Sequence, residues 1–160
     1  MSSSNQKRKR QRRDQRAKHP TPMREGVNDR RIVGLLYDYR VLSQQQIEQL
    51  MGLARSTVQR LLKRLYDHGY LEREFPPVSH IGSSPTLYVL DKKGLDLLRR
   101  MGFEDVPDVP SKGLSGTFLE HTMAINIFRI AITQACLAQG WEIAGWLTET
   151  KLRRLEISGF

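Results

Sequence analysis

The apolar residues between Leu42 and Leu90 change their spacing in an order that restricts the fold more than any other feature of the chain. They recur at helical spacing on both sides of Gly52, and after Gly69 they give way to two short segments typical of strands. A tight turn between two short helices holds the second helix at a fixed angle on the protein surface. The order helix, turn, helix, strand, long loop, strand therefore predicts a winged helix-turn-helix.

Start and stop signals set the limits of these elements. We predict helices over residues 28–39, 43–51, 56–67 and 92–101, and strands over residues 70–75 and 86–90. The residues suited to cap the helix starts are Asn28 or Asp29, Ser43, Ser56 and Asp91. Gly52 is suited to end the second helix, because glycine is common at helix C-termini. Together these elements predict one winged helix-turn-helix domain over residues 28–103.

The C-terminal part is predicted to contain a linker, a long helix and a short strand. Proline and glycine residues indicate a linker over residues 104–116. Residues 117–138 form a helix that is apolar around most of its circumference, and residues 141–146 are typical of a strand. The helix carries a narrow polar stripe, made of Thr122, Asn126, Arg129 and Thr133. The predicted fold class is therefore mainly α with a β-hairpin wing (α+β).

A helix that is apolar nearly all round must be buried. Two arrangements satisfy this requirement in a chain of this length. The helix can form a homodimer through residues 117–138, or it can pack against the strand over residues 141–146 and the winged domain. We expect the dimer.

Charge is concentrated at the N-terminus. Residues 1–24 contain nine Lys or Arg and one acidic residue, a net charge of +8 out of +9 for the whole chain. Such a segment lacks the apolar residues needed to order itself. We therefore predict a disordered basic arm over residues 1–27 that is attracted to phosphates. A solubilising tail is the alternative.

The third helix carries the residues most suited to read a nucleic acid. Its polar face combines arginine, which can bond guanine through two hydrogen bonds, with glutamine, which can do the same to adenine. The N-terminal end of such a helix usually reaches the bases, and later residues meet phosphate. The predicted DNA-binding residues of this helix are Arg55, Ser56, Thr57, Gln59, Arg60, Lys63 and Arg64; those of the wing tip are His80 and Ser83; those of the arm are Lys7, Arg8, Lys9, Arg10, Arg12 and Arg13.

Several other classes of function receive no support from the sequence. The single cysteine, Cys136, excludes a zinc site with four cysteine ligands and an intramolecular disulfide. We find no motif for a cofactor, a metal or a catalytic group, so we expect a protein that is not an enzyme. The pair Glu120 and His121 is far more typical of packing or capping than of catalysis. The lack of a long apolar run predicts a cytoplasmic protein without a membrane partner.

Three segments together resemble the replication-relaxation family of plasmid and mobile-element proteins. They are Val41–Leu71 with its two helices, the end of the wing at Tyr88–Gly94, and Leu119–Arg129. The resemblance covers roughly residues 28–152. It implies DNA binding in plasmid replication, transfer or their regulation, with replication or transfer proteins as further partners.

The same resemblance raises an enzymatic alternative. Typical members continue into an α/β region with carboxylates near a Pro-Asp pair, similar to nuclease-like folds. In this chain no Pro-Asp follows Trp146, and Pro107-Asp108 lies in the predicted linker. A DNA-processing protein that lacks its catalytic half therefore stays an alternative, as does a winged helix that binds only protein.

Overall fold

The computed structural model describes residues 14–76 and 85–147. These residues fall into two compact units that divide between Asn126 and Ile127, inside the last helix. The described residues form five helices and three strands. The helices are α1 (Val27–Tyr39), α2 (Gln44–Met51), α3 (Arg55–Asp67), α4 (Lys92–Arg100) and α5 (Gly116–Ala138). The strands are β1 (Leu42–Ser43), β2 (Leu71–Glu74) and β3 (Leu87–Leu90).

The predicted hairpin is confirmed, and a third strand adds to it. The sheet is antiparallel in the order β1-β3-β2, with Leu42 opposite Tyr88 and Leu71 opposite Leu90. All four residues of β3 are buried, and Leu87 and Val89 pack on one face of the sheet with Val41 and Leu119. The α+β winged helix-turn-helix predicted from the sequence is therefore the observed fold.

The apolar faces of α1 and α3 form the centre of the winged domain. Ile32 and Leu36 of α1 are buried, as are Leu62 and Leu65 of α3. Each full burial of such a side chain contributes about 1.5–3 kcal/mol to folding. The helical periodicity that predicted these faces thus identifies the core correctly.

Two of the predicted caps are confirmed at α2 and α4. The Ser43 hydroxyl accepts a hydrogen bond from the Gln46 N–H at 3.2 Å, and the Gln46 side-chain oxygen accepts one from the Ser43 N–H at 2.9 Å. Gly52 ends α2 with a φ of 63°, and Asp91 accepts a hydrogen bond from the Lys92 N–H. Reciprocal bonding of this kind satisfies amide groups that the helix itself leaves unpaired.

The caps predicted for α1 and α3 are wrong. Gly26 is the N-cap of α1, and Asp29 lies in the first turn, where its carboxylate accepts a hydrogen bond from the Gly26 N–H at 2.8 Å. Helix α3 begins one residue before Ser56, at Arg55, with Ala54 as an N-cap that has no side-chain hydrogen bond. Ser56 is therefore inside the helix and exposed.

Helix α5 turns its polar stripe inward within the first unit. Asn126 is 1% exposed, and its amide donates hydrogen bonds to the carbonyl oxygens of Tyr39 at 3.1 Å and Val41 at 2.6 Å. Leu119 packs there with Val41 and the buried face of β3. Some apolar side chains of α5 that we expected to be buried are exposed instead. Phe128, for example, is 61% exposed.

The strand predicted over residues 141–146 is wrong. Residues 141–147 have no regular secondary structure and pair with none of the described strands. A strand requires hydrogen bonds to a neighbour. The Trp141 N–H bonds instead to the Cys136 carbonyl at 2.8 Å, next to Gly140 with a φ of 71°, and so helps to end α5.

Two segments predicted as disordered or as a linker are tied to the winged domain. Residues 14–26, predicted as the last part of the basic arm, bond through Arg16 to the carbonyl of Leu71. In the linker predicted over 104–116, the Gly113 N–H donates to Glu74 and Lys112 bonds to Asp91. Both segments therefore contact the winged domain, although the sequence predicts that they lie outside it.

Candidate nucleic-acid interface

Helix α3 has one exposed polar face opposite its buried apolar face. Five side chains on it are exposed over three turns, and we call them the recognition face: Arg55, Ser56, Gln59, Arg60 and Lys63. Thr57, which was predicted with them, is half-buried. Most of the predicted set therefore lies together on one surface.

The turn before α3 fixes how this face is presented. Gly52 has the left-handed conformation that ends α2, which a side chain would strain. Two residues later, the Ala54 carbonyl accepts hydrogen bonds from the N–H groups of Thr57 and Val58 and so starts α3. The helix-turn-helix thus projects the N-terminal half of α3 from a rigid base.

The recognition face offers donors of the kind that read base edges. Among the described residues, Arg55 and Arg60 form no ion pair, so their guanidinium groups are available to a ligand. Gln59 lies beside Arg60 and supplies both a donor and an acceptor. Such a set matches the pattern of donors and acceptors in a DNA major groove.

Lys63 occupies the C-terminal end of the recognition face. Its amine bonds to the Asp67 carboxylate at 2.5 Å, one turn further along α3, and the lysine side chain is 53% exposed. The Asp67 side chain is only 9% exposed and also accepts a hydrogen bond from the Ala17 N–H at 3.0 Å. A phosphate that took over Lys63 would therefore leave Asp67 with the Ala17 N–H as a partner.

Arg64 does not lie with the recognition face, although we predicted it there. Its guanidinium bonds to both carboxylate oxygens of Asp29, each at 2.7 Å. The Asp29 side chain is 0% exposed, so it depends on this partner for charge compensation. Arg64 therefore ties α3 to the start of α1.

The remaining predicted DNA-binding residues lie outside the described part of the chain. These are His80 and Ser83 at the wing tip and, before residue 14, Lys7, Arg8, Lys9, Arg10, Arg12 and Arg13. The strands that carry the wing are described and follow α3 directly. The position of these residues on the recognition surface stays a prediction.

A cluster of four charged groups next to the wing was missed by sequence reasoning. Arg16 bonds to Asp91 at 2.6 Å and Glu72 at 2.9 Å, and Lys112 bonds to the other Asp91 oxygen at 2.8 Å. No local pattern signals this cluster, because its members are up to about a hundred residues apart in sequence. It joins the N-terminal segment, β2, α4 and the segment before α5.

Electrostatics within this cluster favour the charged forms. Burial alone would raise the pKa of Asp91, but hydrogen bonds from Lys112, Arg16 and the Lys92 amide outweigh it and hold that pKa below its ordinary value. For Arg16, burial works against the charge, and the bond to Asp91 together with the charge of Glu72 raises its pKa. These contacts therefore hold Asp91 and Arg16 in their charged forms.

Two further features of the described residues bear on function. Over residues 14–76 and 85–147, no group of three or more His, Cys, Asp or Glu side chains is placed to hold a metal ion. Within the same residues, no helix combines the length and the apolar character that a membrane crossing requires.

Comparison with known proteins gives one family match. The sequence model of the family described as replication-relaxation matches residues 33–157. No curated protein matches the chain.

Among solved structures, three similar ones are a transcriptional regulator, Tm0710, from Thermotoga maritima, a MarR family transcriptional regulator from Silicibacter pomeroyi, and RV1404 from Mycobacterium tuberculosis. Each is 20% identical to this chain. The match to the first spans 82% of this chain and 70% of the chain in that structure, with a TM-score of 0.43. The second covers 83% and 67%, and the third 75% and 77%, each with a TM-score of 0.41.

Proposed function

Because this chain belongs to the replication-relaxation family, we propose that it is a DNA-binding protein that acts on plasmid or mobile-element DNA. It would work by occupancy, either by positioning a replication or transfer complex or by repressing a promoter. The observation that carries the proposal is the recognition face of α3, an exposed set of arginine, glutamine and lysine on a winged helix-turn-helix.

Base choice is assigned to the N-terminal half of α3. Arg55, Gln59 and Arg60 lie on consecutive turns, so they can enter a major groove together. A good bidentate contact of this kind discriminates against the wrong base by about 1–3 kcal/mol. Lys63 and the wing would fix the register by contacting phosphates.

Affinity without sequence preference is assigned to the N-terminus. Residues 1–13, which we call the basic tail, contain six Lys or Arg and no acidic residue. Contacts between such cations and phosphates weaken as salt is added, because each contact releases a counterion. We therefore assign most of the salt-dependent part of binding to the basic tail, and we propose no enzymatic role for the chain.

We further propose that two copies of the chain pair through α5. Within the second unit, Ile127 and Phe128 are 62% and 61% exposed, and Ala131, Ala135 and Ala138 continue the same exposed side of the helix. This apolar strip, residues 127–138, carries no charged side chain at its exposed positions. A two-fold interface brings like residues together, which an uncharged strip permits.

The function is tested by fluorescence anisotropy with the full-length chain. Binding is compared on a random duplex and on DNA from upstream of the chain's own gene, at several salt concentrations. We expect a preference for the upstream DNA, and we expect Arg60→Met to reduce that preference by about 10-fold or more, the loss of one bidentate base contact.

A second variant separates the two parts of the proposed mechanism. Replacing all six basic residues of the tail by glutamine should weaken binding to both duplexes and flatten the salt dependence, while the preference remains. Loss of all binding in this variant, on every duplex, would contradict a reading role for α3. It would favour a winged helix that binds protein.

A further inference from the structure

We propose that Arg16 anchors the N-terminal segment at the C-terminal end of α3, so that the basic tail starts beside the recognition face. The anchor rests on the proposed DNA-binding function, since it explains how the tail and α3 reach the same duplex. Its contacts involve described residues alone, and they are independent of any ligand.

One guanidinium nitrogen of Arg16, Nη2, faces three acceptors. Its guanidinium donates hydrogen bonds to the carbonyl oxygen of Leu71 at 3.0 Å, to Glu72 at 2.9 Å and to Asp91 at 2.6 Å. It also lies over the ring of Tyr66, 5.0 Å from the ring centre. Because its charge is compensated in this way, Arg16 belongs to the folded domain and adds nothing to the tail's attraction for phosphate.

Further contacts hold the residues that follow, among them an ion pair of Glu25 with Arg100. The Ala17 N–H donates to the Asp67 carboxylate at 3.0 Å, and the Thr21 carbonyl lies 2.9 Å from the His68 ring nitrogen Nε2. Glu25 accepts a hydrogen bond from the Tyr70 hydroxyl at 2.7 Å. The segment therefore runs along the end of α3 and the start of β2 before α1 begins.

Asp67 places the start of the tail next to the recognition face. One of its oxygens accepts the Ala17 N–H, and the other binds the amine of Lys63. A single carboxylate thus separates the N-terminal segment from a residue that we assign to phosphate contact. The described part of the chain therefore begins next to the C-terminal end of α3.

The anchor also shortens the tether. Fastened at Arg16, the chain before Asp14 has thirteen residues, whereas release back to Gly26 doubles this length. The effective concentration of a tethered group falls roughly as the −3/2 power of tether length. Release should therefore lower it about twofold if the segment detaches as far as Thr21, and about threefold if it detaches to Gly26.

The test compares Arg16→Gln with Arg24→Gln in the full-length chain. Both variants lose one positive charge from the same segment, but Arg24 is exposed and forms no ion pair among the described residues. On a random duplex at low salt, we expect Arg16→Gln to bind about twofold to threefold more weakly than Arg24→Gln. Equal affinities for the two variants would overturn the proposal.

The same pair is then compared in the variant whose six tail cations are glutamine. If Arg16 acts through the tail, the difference between the two variants disappears in that background. A difference that persists there would mean that Arg16 contacts DNA itself or only stabilises the fold, and the anchor would be rejected.

Trypsin gives a readout that requires no DNA binding. Lys18 is exposed, and the bonds of Arg16 and Ala17 hold the backbone around it. At a temperature well below the melting temperatures of both variants, we expect cleavage after Lys18 to be faster in Arg16→Gln than in Arg24→Gln. Equal cleavage rates would refute the anchor, whereas failure of every variant to bind DNA would count against the proposed function alone.

Discussion

Arg60 and Arg64 are one turn apart on α3, but the structure gives them different environments. Arg60 points outward without an ion pair in the described part of the chain, and Arg64 compensates the buried charge of Asp29. Removing one partner of a buried pair costs about 3–5 kcal/mol. Because the Arg64 side chain is 40% exposed, we expect Arg64→Met to lose about 3 kcal/mol of unfolding free energy.

The matched variant is Arg60→Met, which removes the same charge from the same helix. It should leave the free energy of unfolding in urea unchanged within about 0.5 kcal/mol, as expected for an exposed surface position. Equal stability of the two variants would show that Asp29 does not depend on Arg64.

Asp91 is expected to make the free energy of unfolding depend on pH. The pKa of this carboxyl is lowered in the folded chain, so its contribution is complete above the ordinary value of 3.8 and is lost as the pH falls through the lower folded value. Asparagine can still cap α4, so Asp91→Asn removes mainly the charge. Near neutral pH we expect the free energy of unfolding of this variant to be about 1–3 kcal/mol lower than that of the wild type.

The check is urea unfolding of both chains along a pH series. The difference between the wild type and Asp91→Asn should shrink as the pH falls below 3.8, because the carboxyl of the unfolded wild-type chain then takes up a proton before the folded one does. Asp108→Asn is the control, since that side chain is fully exposed. A difference that is constant with pH would exclude an electrostatic role for Asp91.

At the scale of elements, Gly94 allows α4 to pack against the start of β2. A Cβ atom at this position would lie 2.3 Å from the carbonyl oxygen of Tyr70 and 3.1 Å from the Leu90 side chain. The backbone must therefore move, and overpacking of this kind costs about 1–3 kcal/mol. We expect Gly94→Ala to lower the free energy of unfolding despite the higher helix propensity of alanine.

Gly34 offers the matched control in the middle of α1. Its nearest neighbour would be Phe103, 3.8 Å from an added Cβ, which is an ordinary contact. Gly34→Ala should be neutral or stabilise the chain by up to about 1 kcal/mol, the difference in helix propensity. The melting temperature should therefore fall for Gly94→Ala, whereas it should rise or stay unchanged for Gly34→Ala.

How far the elements could be predicted depended on whether their signals were local. Helix α2 has a cap, an apolar face and a glycine within ten residues, and its limits are predicted well. Strand β1 has only two residues and exists because β3 pairs with it, so no pattern indicates it. The Trp141 region has strand-like residues, but its N–H is used at the end of α5.

The candidate site shows the same limit. The period of α3 correctly separates Val58 and Leu62 from Gln59 and Arg60. It cannot show that Asp29, thirty-five residues away, takes Arg64 out of the exposed set. Likewise, the sequence shows Asn126 only as a polar residue on an apolar helix. Its role depends on the two carbonyls at the end of α1, where Arg40 has a φ of 66° and breaks the helix.

For the molecule as a whole, we expect two chains to bind one DNA site. A dimer of winged helices contacts two half-sites about one helical turn apart, so pairing would raise both affinity and specificity. The strip over residues 127–138 is the surface we assign to this contact, and Phe128 is its largest side chain. Aromatic residues at the centre of an interface commonly contribute about 2 kcal/mol or more.

We therefore expect Phe128→Asp to weaken self-association by about 30-fold or more, as measured by sedimentation equilibrium over a range of protein concentrations. Gln139→Asp adds the same charge just beyond the end of α5 and should leave association unchanged. If the strip pairs two copies, Phe128→Asp should also lose affinity for the upstream duplex while the recognition face is intact, because each chain then binds a half-site alone. A wild-type chain that stays monomeric at every concentration would contradict the dimer, and the exposed strip would then need another occupant.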